Sequence, residues 1–294
     1  MLDFKEFSIG DRDEFERLCR EFPSPSCERC FSTSYVWRIF FDYRVARWRD
    51  RLVIFENSNG WLMYPLGRDT PPEELLELAE LTQEAGFGVK SVYDVPPDYP
   101  QKYPSAAELF EVSAEEKYFD YLCDLKKLSE LGGPILRKKR NHVKRFKSEN
   151  PDWSCEPVGE SNIAQAREFM ESMEAGEEIA AISCAFDNFY ELGFSGILLR
   201  TGGGRIAAAA VMGKINDDVW DVNFEKSDKS VEGAPQMIVQ LEADYLLGRG
   251  AKFMNREQDM GLENLRHAKR SLDSVMFRRL MLNPAGGGSR WTCG

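Results

Sequence analysis

The sequence predicts a mixed α/β protein built from two tandem units of one topology. The C-terminal half reads as strand-helix-helix-strand-strand-strand-helix-strand-helix, and the N-terminal half repeats this order more loosely. At 294 residues the chain is long enough for two ordinary domains. A duplicated α/β unit with mixed sheets is therefore the economical interpretation.

Alternating and helical periodicities place the elements of the C-terminal half in order. We expect strands at 153–158, 196–200, 206–214, 219–225 and 252–255, and helices at 161–174, 177–192, 235–248 and 262–271. A hairpin turn is predicted at Thr201-Gly202-Gly203-Gly204. Pro235 is expected in the first turn of the third helix, where its missing N–H costs nothing.

The N-terminal half contains the same kinds of element. We expect strands at 2–7, 44–49, 52–56, 61–65 and 88–95, a helix from residue 11, and helices at 32–41 and 72–85. Residues 117–125 are predicted as a late strand of this first unit. The predicted units are 1–125 and 151–285, joined by a basic linking helix at 126–150 that is interrupted near Gly132-Gly133-Pro134, and followed by a flexible tail at 286–294.

Composition favours a soluble, cytoplasmic protein. The longest apolar run, 206–212, is far short of the roughly 20 residues that span a bilayer, and residues 1–6 lack the features of a signal peptide. Seven cysteines form no even disulfide framework, and Cys27 and Cys30 lack the further ligands of a structural zinc site. We therefore expect no metal, no cofactor and no transmembrane segment, and interpret the two thiols as ordinary residues at the start of a helix.

One short segment departs from the acidic character of the chain. The net charge is −11, yet residues 137–147 contain seven Lys and Arg side chains and no acidic one. The chain as a whole should repel nucleic acid, whereas this segment should attract phosphate.

Three motifs carry a resemblance to a known family. The pattern K-R-N-H-x-x-R-F is matched by Lys139-Arg140-Asn141-His142-Val143-Lys144-Arg145-Phe146, and the block N-R-E-x-D-x-G…L-R-x-A-K-x-S by Asn255-Arg256-Glu257-Gln258-Asp259-Met260-Gly261 with Leu265-Arg266 and Ala268-Lys269-Arg270-Ser271. A third segment, Phe31-Ser32-Thr33-Ser34-Tyr35-Val36-Trp37, is similar to S-F-T-N-x-x-x-W. Together these motifs resemble the C-terminal domain family of bacterial phosphatidylglycerol lysyltransferases.

That resemblance implies two tandem Gcn5-related N-acyltransferase-like units, a fold shared with the Fem peptidyltransferases, whose donor is commonly aminoacyl-tRNA. The chain departs from the pattern where relatives read His-x-Glu-Lys, because it has Asn223-Phe224-Glu225-Lys226. It departs again where relatives read Lys-x-Ser-Tyr-x-Pro, because it has Lys269-Arg270-Ser271-Leu272-Asp273-Ser274. The membrane-spanning half of the lysyltransferases has no counterpart here, so a lipid acceptor is not implied.

The basic segment contains the first candidate substrate-binding residues, Lys139, Arg140 and Asn141. At 100° per residue, Lys139 and Arg140 fall close to the apolar face that Leu136 helps to define. A buried cation needs a partner, so both are interpreted as binding phosphate or as pairing inside the protein. A solvated helix end is the simpler alternative for this segment.

The 255–271 block contains further candidates, Glu257, Asp259 and Lys269. We expect Lys269 to share a buried helix face with Leu262 and Leu265, with Glu257 and Asp259 as its local partners. The carboxylates either brace the cation or hold a substrate amine, and both alternatives stay open.

The predicted strand 219–225 alternates, with Asp221, Asn223 and Glu225 expected on one face. In acyltransferases of this fold, donor and acceptor meet against this strand. Glu225 is accordingly the predicted proton acceptor, and Asn223 and Asp259 are placed with it in the catalytic set. An ordinary exposed sheet face is the alternative.

These features predict transfer of an aminoacyl group from aminoacyl-tRNA, bound through 137–147, to a small amine or hydroxyl acceptor. An acyl-CoA-dependent N-acyltransferase is the first alternative, although 231–236 contains a single glycine, Gly233, and Pro235 lacks an N–H for pyrophosphate. The second alternative is a non-catalytic module that binds a metabolite or a partner.

Overall fold

The computed structural model describes residues 2–174, 176–285 and 291, which divide into two compact units. The first consists of Met1–Ser24, Trp37–Phe119 and Phe277–Gly294, and the second of Pro25–Val36 and Asp120–Met276. Each unit is therefore assembled from separate stretches of the chain.

The strands, in chain order, are β1 (Lys5–Glu6), β2 (Tyr43–Trp48), β3 (Arg51–Glu56), β4 (Trp61–Met63), β5 (Ser91–Val95), β6 (Phe110–Ser113), β7 (Asp120–Asp124), β8 (Ser154–Pro157), β9 (Ser195–Arg200), β10 (Ile206–Lys214), β11 (Val219–Ser227), β12 (Phe253–Asn255), β13 (Val275–Phe277) and β14 (Leu280–Pro284). The α-helices are α1 (Arg12–Glu21), α2 (Phe31–Phe41), α3 (Pro72–Glu84), α4 (Tyr99–Lys102), α5 (Ala106–Leu109), α6 (Leu125–Glu130), α7 (Arg137–Glu149), α8 (Ile163–Ser172), α9 (Glu177–Asp187), α10 (Ala234–Leu247) and α11 (Glu263–Arg270). Short 3-10 helices cover Ile9–Asp11, Cys27–Arg29, Glu116–Tyr118 and Gly202–Gly204.

Each unit is organised around a seven-stranded mixed sheet. The strand orders are β1-β2-β3-β4-β5-β14-β6 and β13-β7-β12-β11-β10-β9-β8. Each sheet includes a parallel neighbouring pair, β4–β5 in the first and β11–β12 in the second. The predicted duplication of a mixed α/β unit is confirmed.

The two sheets exchange one strand each. β7, which the sequence placed late in the first unit, pairs with β12 in the second sheet, so that assignment is wrong. The C-terminal strand β14, absent from the sequence prediction, lies between β5 and β6 of the first sheet. Periodicity locates a strand but does not identify its neighbours, because pairing depends on residues distant in sequence.

The predicted interruption of the basic helix is confirmed, since α6 ends before Gly132-Gly133-Pro134 and α7 begins after it. Both helices belong to the second unit, where they pack with α10. Val143 and Phe146 are the buried side chains of α7, as the apolar face of this helix predicts.

Trp291 lies in the segment predicted to be a flexible tail, yet its ring is buried in the core of the first unit. Its Nε1–H donates to the Val89 carbonyl oxygen at 3.0 Å. The rest of the predicted tail, 286–290 and 292–294, lies outside the described residues. In the part of the chain that the structure describes, no helix is long and apolar enough to cross a membrane.

Candidate active site

The candidate site lies in the second unit, where the parallel pairing of β11 and β12 ends. The last pair of this ladder joins Asp221 to Asn255. Polar residues follow at once on both strands, and include Asn223, Glu225 and Glu257. The parallel ladder therefore ends beside a group of polar side chains.

A β-bulge at Asn223 changes the direction of the side chains along β11. Val211 pairs with Phe224 and Met212 with Val222, so Asn223 is the extra residue of the bulge. A bulge interrupts strict alternation. The prediction that Glu225 shares a face of β11 with Asp221 is therefore wrong. Glu225 contacts Arg256 on the α10 side of the sheet, whereas Asp221 contacts Thr33 of α2.

Asp221, Asn223 and Thr33 form a hydrogen-bonded group against the beginning of α2. Thr33 Oγ1 donates to Asp221 Oδ2 at 2.7 Å, and Asn223 Nδ2 donates to Thr33 Oγ1 at 2.6 Å. Gly213 of β10 lies beside them, and a Cβ atom there would be 2.7 Å from Cys30 Sγ and 3.0 Å from Asn223 Oδ1. The close approach of α2 to the sheet therefore requires a glycine at this position.

Asp221 and Glu257 are two carboxyl groups that interact inside the protein. Asp221 is fully buried, and burial followed by repulsion from Glu257 raises its pKa well above the usual value. Burial likewise raises the pKa of Glu257 to about 7, while Lys269 and a hydrogen bond with Asp221 act to lower it. Two neighbouring carboxyl groups that cannot both ionise share a proton, which suits proton transfer near neutral pH.

The backbone holds Glu257 in an uncommon conformation, with φ of +55°. Its N–H donates to Asn255 Oδ1 at 2.7 Å, and Asn255 is itself fully buried. Asn255 Nδ2 donates to Asp120 Oδ2 and to the Pro25 carbonyl oxygen, each at 2.8 Å. A left-handed conformation costs a non-glycine residue about 1–2 kcal/mol, so these contacts maintain the position of the carboxyl group.

Lys269 lies beside this pair, half-buried on α11. Its ammonium donates to the Gln258 carbonyl oxygen and lies 6.0 Å from the centre of the Tyr121 ring. Burial lowers the pKa of Lys269, and Glu257 opposes that effect. The predicted proximity of Lys269 to Glu257 is thus present, but Leu262 and Leu265 are exposed, so the expected burial of their helix face is wrong.

Asp259, expected in the catalytic set, has its hydrogen bonds satisfied inside the protein. Its Oδ2 accepts from Tyr121 Oη at 2.7 Å and from Arg266 Nε at 2.8 Å. Its Oδ1 accepts from the Gly261 N–H at 2.7 Å and from Arg266 Nη2 at 3.1 Å. Burial acts to raise the pKa of Asp259, but these bonds bring it down to about 2, which is typical of a structural carboxylate.

Glu225 belongs to a separate buried group on the α10 side. Arg256 Nη1 donates to Glu225 Oε2 at 2.8 Å and to Glu242 Oε2 at 2.9 Å. Burial, followed by repulsion from Glu225, raises the pKa of Glu242, whose side chain is fully buried. Glu225 is therefore committed to an ion pair rather than presented to a substrate.

The predicted substrate-binding residues of α7 have three different environments. Lys139 is half-buried, burial lowers its pKa, and its ammonium makes no hydrogen bond or ion pair within the described residues. Arg140 Nη1 donates to the Leu131 carbonyl oxygen, and to that of Gly133 at 3.2 Å, so it caps the end of α6. Asn141 is exposed.

Several residues of the site were not singled out as candidates from the sequence, namely Thr33, Gly213, Asp221, Asn255, Arg256 and Glu242. Thr33, Asn255 and Arg256 lie within the family motifs, which was the available signal for all three. Asp221 is a charged residue in the middle of a strand, and such a residue needs a partner when the strand is central. Glu242 lies on a helix, and no local pattern indicates its burial.

No group of three or more His, Cys, Asp or Glu side chains among residues 2–174, 176–285 and 291 could hold a metal ion. Cys27 is instead hydrogen-bonded, its N–H donating to Asp120 Oδ2 at 2.8 Å. Burial raises the pKa of the Cys30 thiol to about 12.

Residues 20–278 match the family described as Phosphatidylglycerol lysyltransferase, C-terminal. The chain belongs to this family. No curated protein matches the sequence significantly.

Solved structures resemble the whole chain. A conserved protein of unknown function from Bacteroides thetaiotaomicron VPI-5482 is 26% identical, with a TM-score of 0.86 over 97% of this chain and 100% of the other. L-PGS from Bacillus licheniformis is 12% identical, with a TM-score of 0.66 over 95% of this chain and 93% of the other. FemX is 10% identical, with a TM-score of 0.66 over 95% of this chain and 96% of the other. The fold is thus that of tandem Gcn5-related and Fem-like acyltransferases, as the family motifs implied.

Proposed function

We propose that the second unit transfers an acyl group, specifically an aminoacyl group, from an activated donor to an amine or hydroxyl acceptor. The observation that carries this proposal is the pair of carboxyl groups, Asp221 and Glu257, at the end of the β11–β12 ladder. Because the pKa of Glu257 is raised to about 7, its carboxylate can accept a proton near neutral pH. Membership of an acyltransferase-like family supports the reaction class.

In the proposed step, the acceptor nitrogen or oxygen attacks the carbonyl carbon of the donor ester. A bond forms between the acceptor atom and that carbon, and the bond from the carbon to the leaving oxygen of the donor breaks. Glu257 takes the proton released by the acceptor and returns it to the leaving oxygen. This role replaces the one expected for Glu225, whose carboxylate is paired with Arg256.

The beginning of α10 argues against acyl-CoA as the donor. Acyl-CoA enzymes of this fold bind pyrophosphate at this helix N-terminus. Here α7 lies against it, because a Cβ atom on Gly233 would be 2.6 Å from the His142 carbonyl oxygen and 2.9 Å from Phe146 Cβ. The adjacent Glu232 carboxylate accepts from Arg145 Nη1 at 2.5 Å and adds negative charge where phosphate would bind.

The exposed side of α7 is consistent with a polyanionic donor such as aminoacyl-tRNA. Arg137, Lys138 and Lys144 are exposed, and their side chains make no ion pair within the part of the chain described. Arg145 is less available because it pairs with Glu149 and Glu232. We propose that these exposed cations and Lys139 contact donor phosphates, which predicts strong weakening of binding by salt.

A transfer assay with labelled donors tests the proposal. Aminoacyl-tRNA and acetyl-CoA are each incubated with the full chain and a panel of amines and alcohols, and the labelled product is measured. Transfer from aminoacyl-tRNA is expected. Replacement of Glu257 by glutamine should lower kcat by about 10²–10⁴-fold, as removal of a general base does. Glu225→Gln should lower kcat by less than this, because the Glu225 carboxylate is paired with Arg256 and takes no proton in the proposed step.

Other results would select one of the alternatives. Transfer from acetyl-CoA alone would support the acyl-CoA-dependent reaction and refute the donor assignment. Saturable ligand binding without transfer from either donor would support the non-catalytic module. Loss of kcat in Glu225→Gln with retention in Glu257→Gln would refute the assignment of the proton acceptor.

A further inference from the structure

The two oxygens of the Asp221 carboxyl group have different environments. Thr33 Oγ1 donates to Oδ2 at 2.7 Å, and Asn223 Nδ2 donates to the same oxygen at 3.3 Å. Oδ1 is buried as well, but it accepts no hydrogen bond from the described residues. The two oxygens therefore differ in their ability to carry a proton.

The direction of the Thr33 hydroxyl follows from its contact with Asn223. A hydroxyl has one hydrogen to donate and two lone pairs. Asn223 Nδ2 donates to Thr33 Oγ1 at 2.6 Å, so one lone pair is used and the hydroxyl hydrogen is left for Asp221 Oδ2. The Cys30 sulfur is also within reach of this hydroxyl. Burial raises the pKa of the Cys30 thiol to about 12, and a neutral thiol is a weak acceptor.

These contacts determine where the proton of a neutral Asp221 lies. The lone pairs of Oδ2 already accept from two donors, so the proton belongs on Oδ1, which then needs an acceptor rather than a donor. Glu257 is hydrogen-bonded to Asp221. Burial raises the pKa of Glu257, and this hydrogen bond acts to lower it, as donation to a carboxylate does. The contacts of both oxygens and the direction of this effect agree.

The packing of α2 maintains the position of Thr33. A Cβ atom on Gly213 would lie 2.7 Å from Cys30 Sγ and would overlap Ser32 Oγ, so the beginning of α2 lies directly on β10. Thr33 is β-branched, which restricts its χ1 angle in a helix. Its hydroxyl is therefore held against Asp221 in the protein alone, with no substrate required.

We propose that Thr33 is a positioning residue, which together with Asn223 places the shared proton on Asp221 Oδ1. Asp221 then donates this proton to Glu257, and Glu257 is the carboxylate that accepts a proton from the substrate. This inference rests on the proposed acyl transfer and specifies which carboxyl group of the pair is the base. Asp221 keeps its proton during the reaction. The proton of the acceptor passes to Glu257 and from there to the leaving oxygen of the donor.

Other charged and titratable groups act on the pair from the elements packed against it. They include Asp120 of β7, Lys269 of α11, Glu28 of a 3-10 helix and the Cys30 thiol before α2. All of them are present in every variant of Thr33. A comparison of such variants therefore isolates the effect of the Thr33 hydroxyl.

Carbon-13 NMR titration of the side-chain carboxyl groups tests this inference on the full chain, without donor or acceptor. The Glu257 signal is identified by its absence from Glu257→Gln. Thr33→Val keeps the shape of the side chain but loses the hydroxyl. It should raise the apparent pKa of Glu257 by about one unit, because the proton is no longer confined to Oδ1 and Asp221 becomes a weaker donor. Thr33→Ser keeps the hydroxyl and should restore the wild-type pKa.

Thr82→Val is the matched control, because Thr82 is a buried threonine of the first unit whose hydroxyl donates to the Leu78 carbonyl oxygen at 2.8 Å. It should leave the pKa of Glu257 unchanged. Asn223→Ala should raise this pKa in the same direction as Thr33→Val, and it replaces Thr33→Val in the test if that variant does not fold. An unchanged pKa of Glu257 in the folded variant, or no recovery in Thr33→Ser, would overturn the inference.

The pH profile of acyl transfer is a second readout, and it separates this inference from the proposed function. The acid limb of kcat/KM should move to higher pH in Thr33→Val by the shift measured by NMR, whereas a purely structural role would lower activity at every pH. The expected NMR pattern without any acyl transfer would refute the proposed function and leave the placement of the proton standing. Acyl transfer with the acid limb and the NMR pKa both unmoved in Thr33→Val would leave the proposed function standing and overturn the role of Thr33.

Discussion

Replacing Gly233 by alanine tests whether α7 lies directly against the beginning of α10. Gly233 has a φ of +79°, and a left-handed conformation costs an alanine about 1–2 kcal/mol. The new Cβ would also lie 2.6 Å from the His142 carbonyl oxygen and 2.9 Å from Phe146 Cβ. Such overpacking costs about 1–3 kcal/mol. The free energy of unfolding should therefore fall by about 2–5 kcal/mol.

Gly250→Ala is the matched control, because Gly250 has nearly the same φ, +85°, and a Cβ there would meet nothing within 4 Å. It should cost only the conformational term, about 1–2 kcal/mol. Urea unfolding followed by circular dichroism measures both variants. If Gly233→Ala destabilised the protein no more than Gly250→Ala, α7 would not pack against this helix end. In that case α7 would not exclude the pyrophosphate of acyl-CoA either.

The remaining predictions concern the charged residues of the second unit. Glu257→Gln should flatten the pH dependence of stability. The folded-state pKa of Glu257, about 7, exceeds the ordinary 4.5. The free energy of unfolding of the wild type should therefore fall by up to about 3 kcal/mol as the pH rises from 4.5 to 7. Urea unfolding at pH 5 and pH 8 measures this, and equal pH dependence of variant and wild type would contradict it. Asp259→Asn should cost about 1–3 kcal/mol, because it weakens the charge-assisted hydrogen bonds that Asp259 accepts from Arg266. Glu263→Gln is the neutral control in the same unfolding assay, and a loss no larger than that of the control would argue against a structural role. Arg140→Ala should lower stability by about 1–3 kcal/mol, because carbonyl oxygens at the end of α6 lose their donor. Lys139→Ala should leave stability nearly unchanged but weaken the binding of aminoacyl-tRNA, measured by filter binding. If Lys139→Ala lowered stability and Arg140→Ala weakened tRNA binding instead, the roles of Lys139 and Arg140 would be reversed.

Most elements could be predicted from the sequence, but β6, β13 and β14 could not, and neither could the neighbours of the strands in the sheets. The alternation of β10 and β11 and the amphipathic face of α7 follow from local periodicity, because each depends on residues a few positions apart. The bulge at Asn223 depends on the register between β10 and β11, and it moved Glu225 away from the face of Asp221. No pattern within one strand records such a register.

The same limit applies to the roles of individual charges. The 255–271 block predicted a polar site, and Glu257 and Lys269 lie close enough to interact electrostatically. Asp259 was indistinguishable from Glu257 by residue type and position, yet Tyr121 and Arg266 occupy its oxygens. Likewise Arg140 caps α6 while Lys139 makes no such bond, although the two are adjacent on one helix. These differences depend on partners that only the folded chain brings together.

The exchange of β7 and β14 between the sheets has a consequence for the order of folding during synthesis. The first sheet needs a strand that is made after every strand of the second sheet, because β14 lies between β5 and β6. Domains usually fold as units as they leave the ribosome, but here the first sheet stays incomplete until residues 280–284 have emerged. Until then β5 and β6 present unpaired edges, which are prone to aggregation. A ribosome that stalls before β14 should therefore release an insoluble chain, even though all the strands of the second sheet have been made.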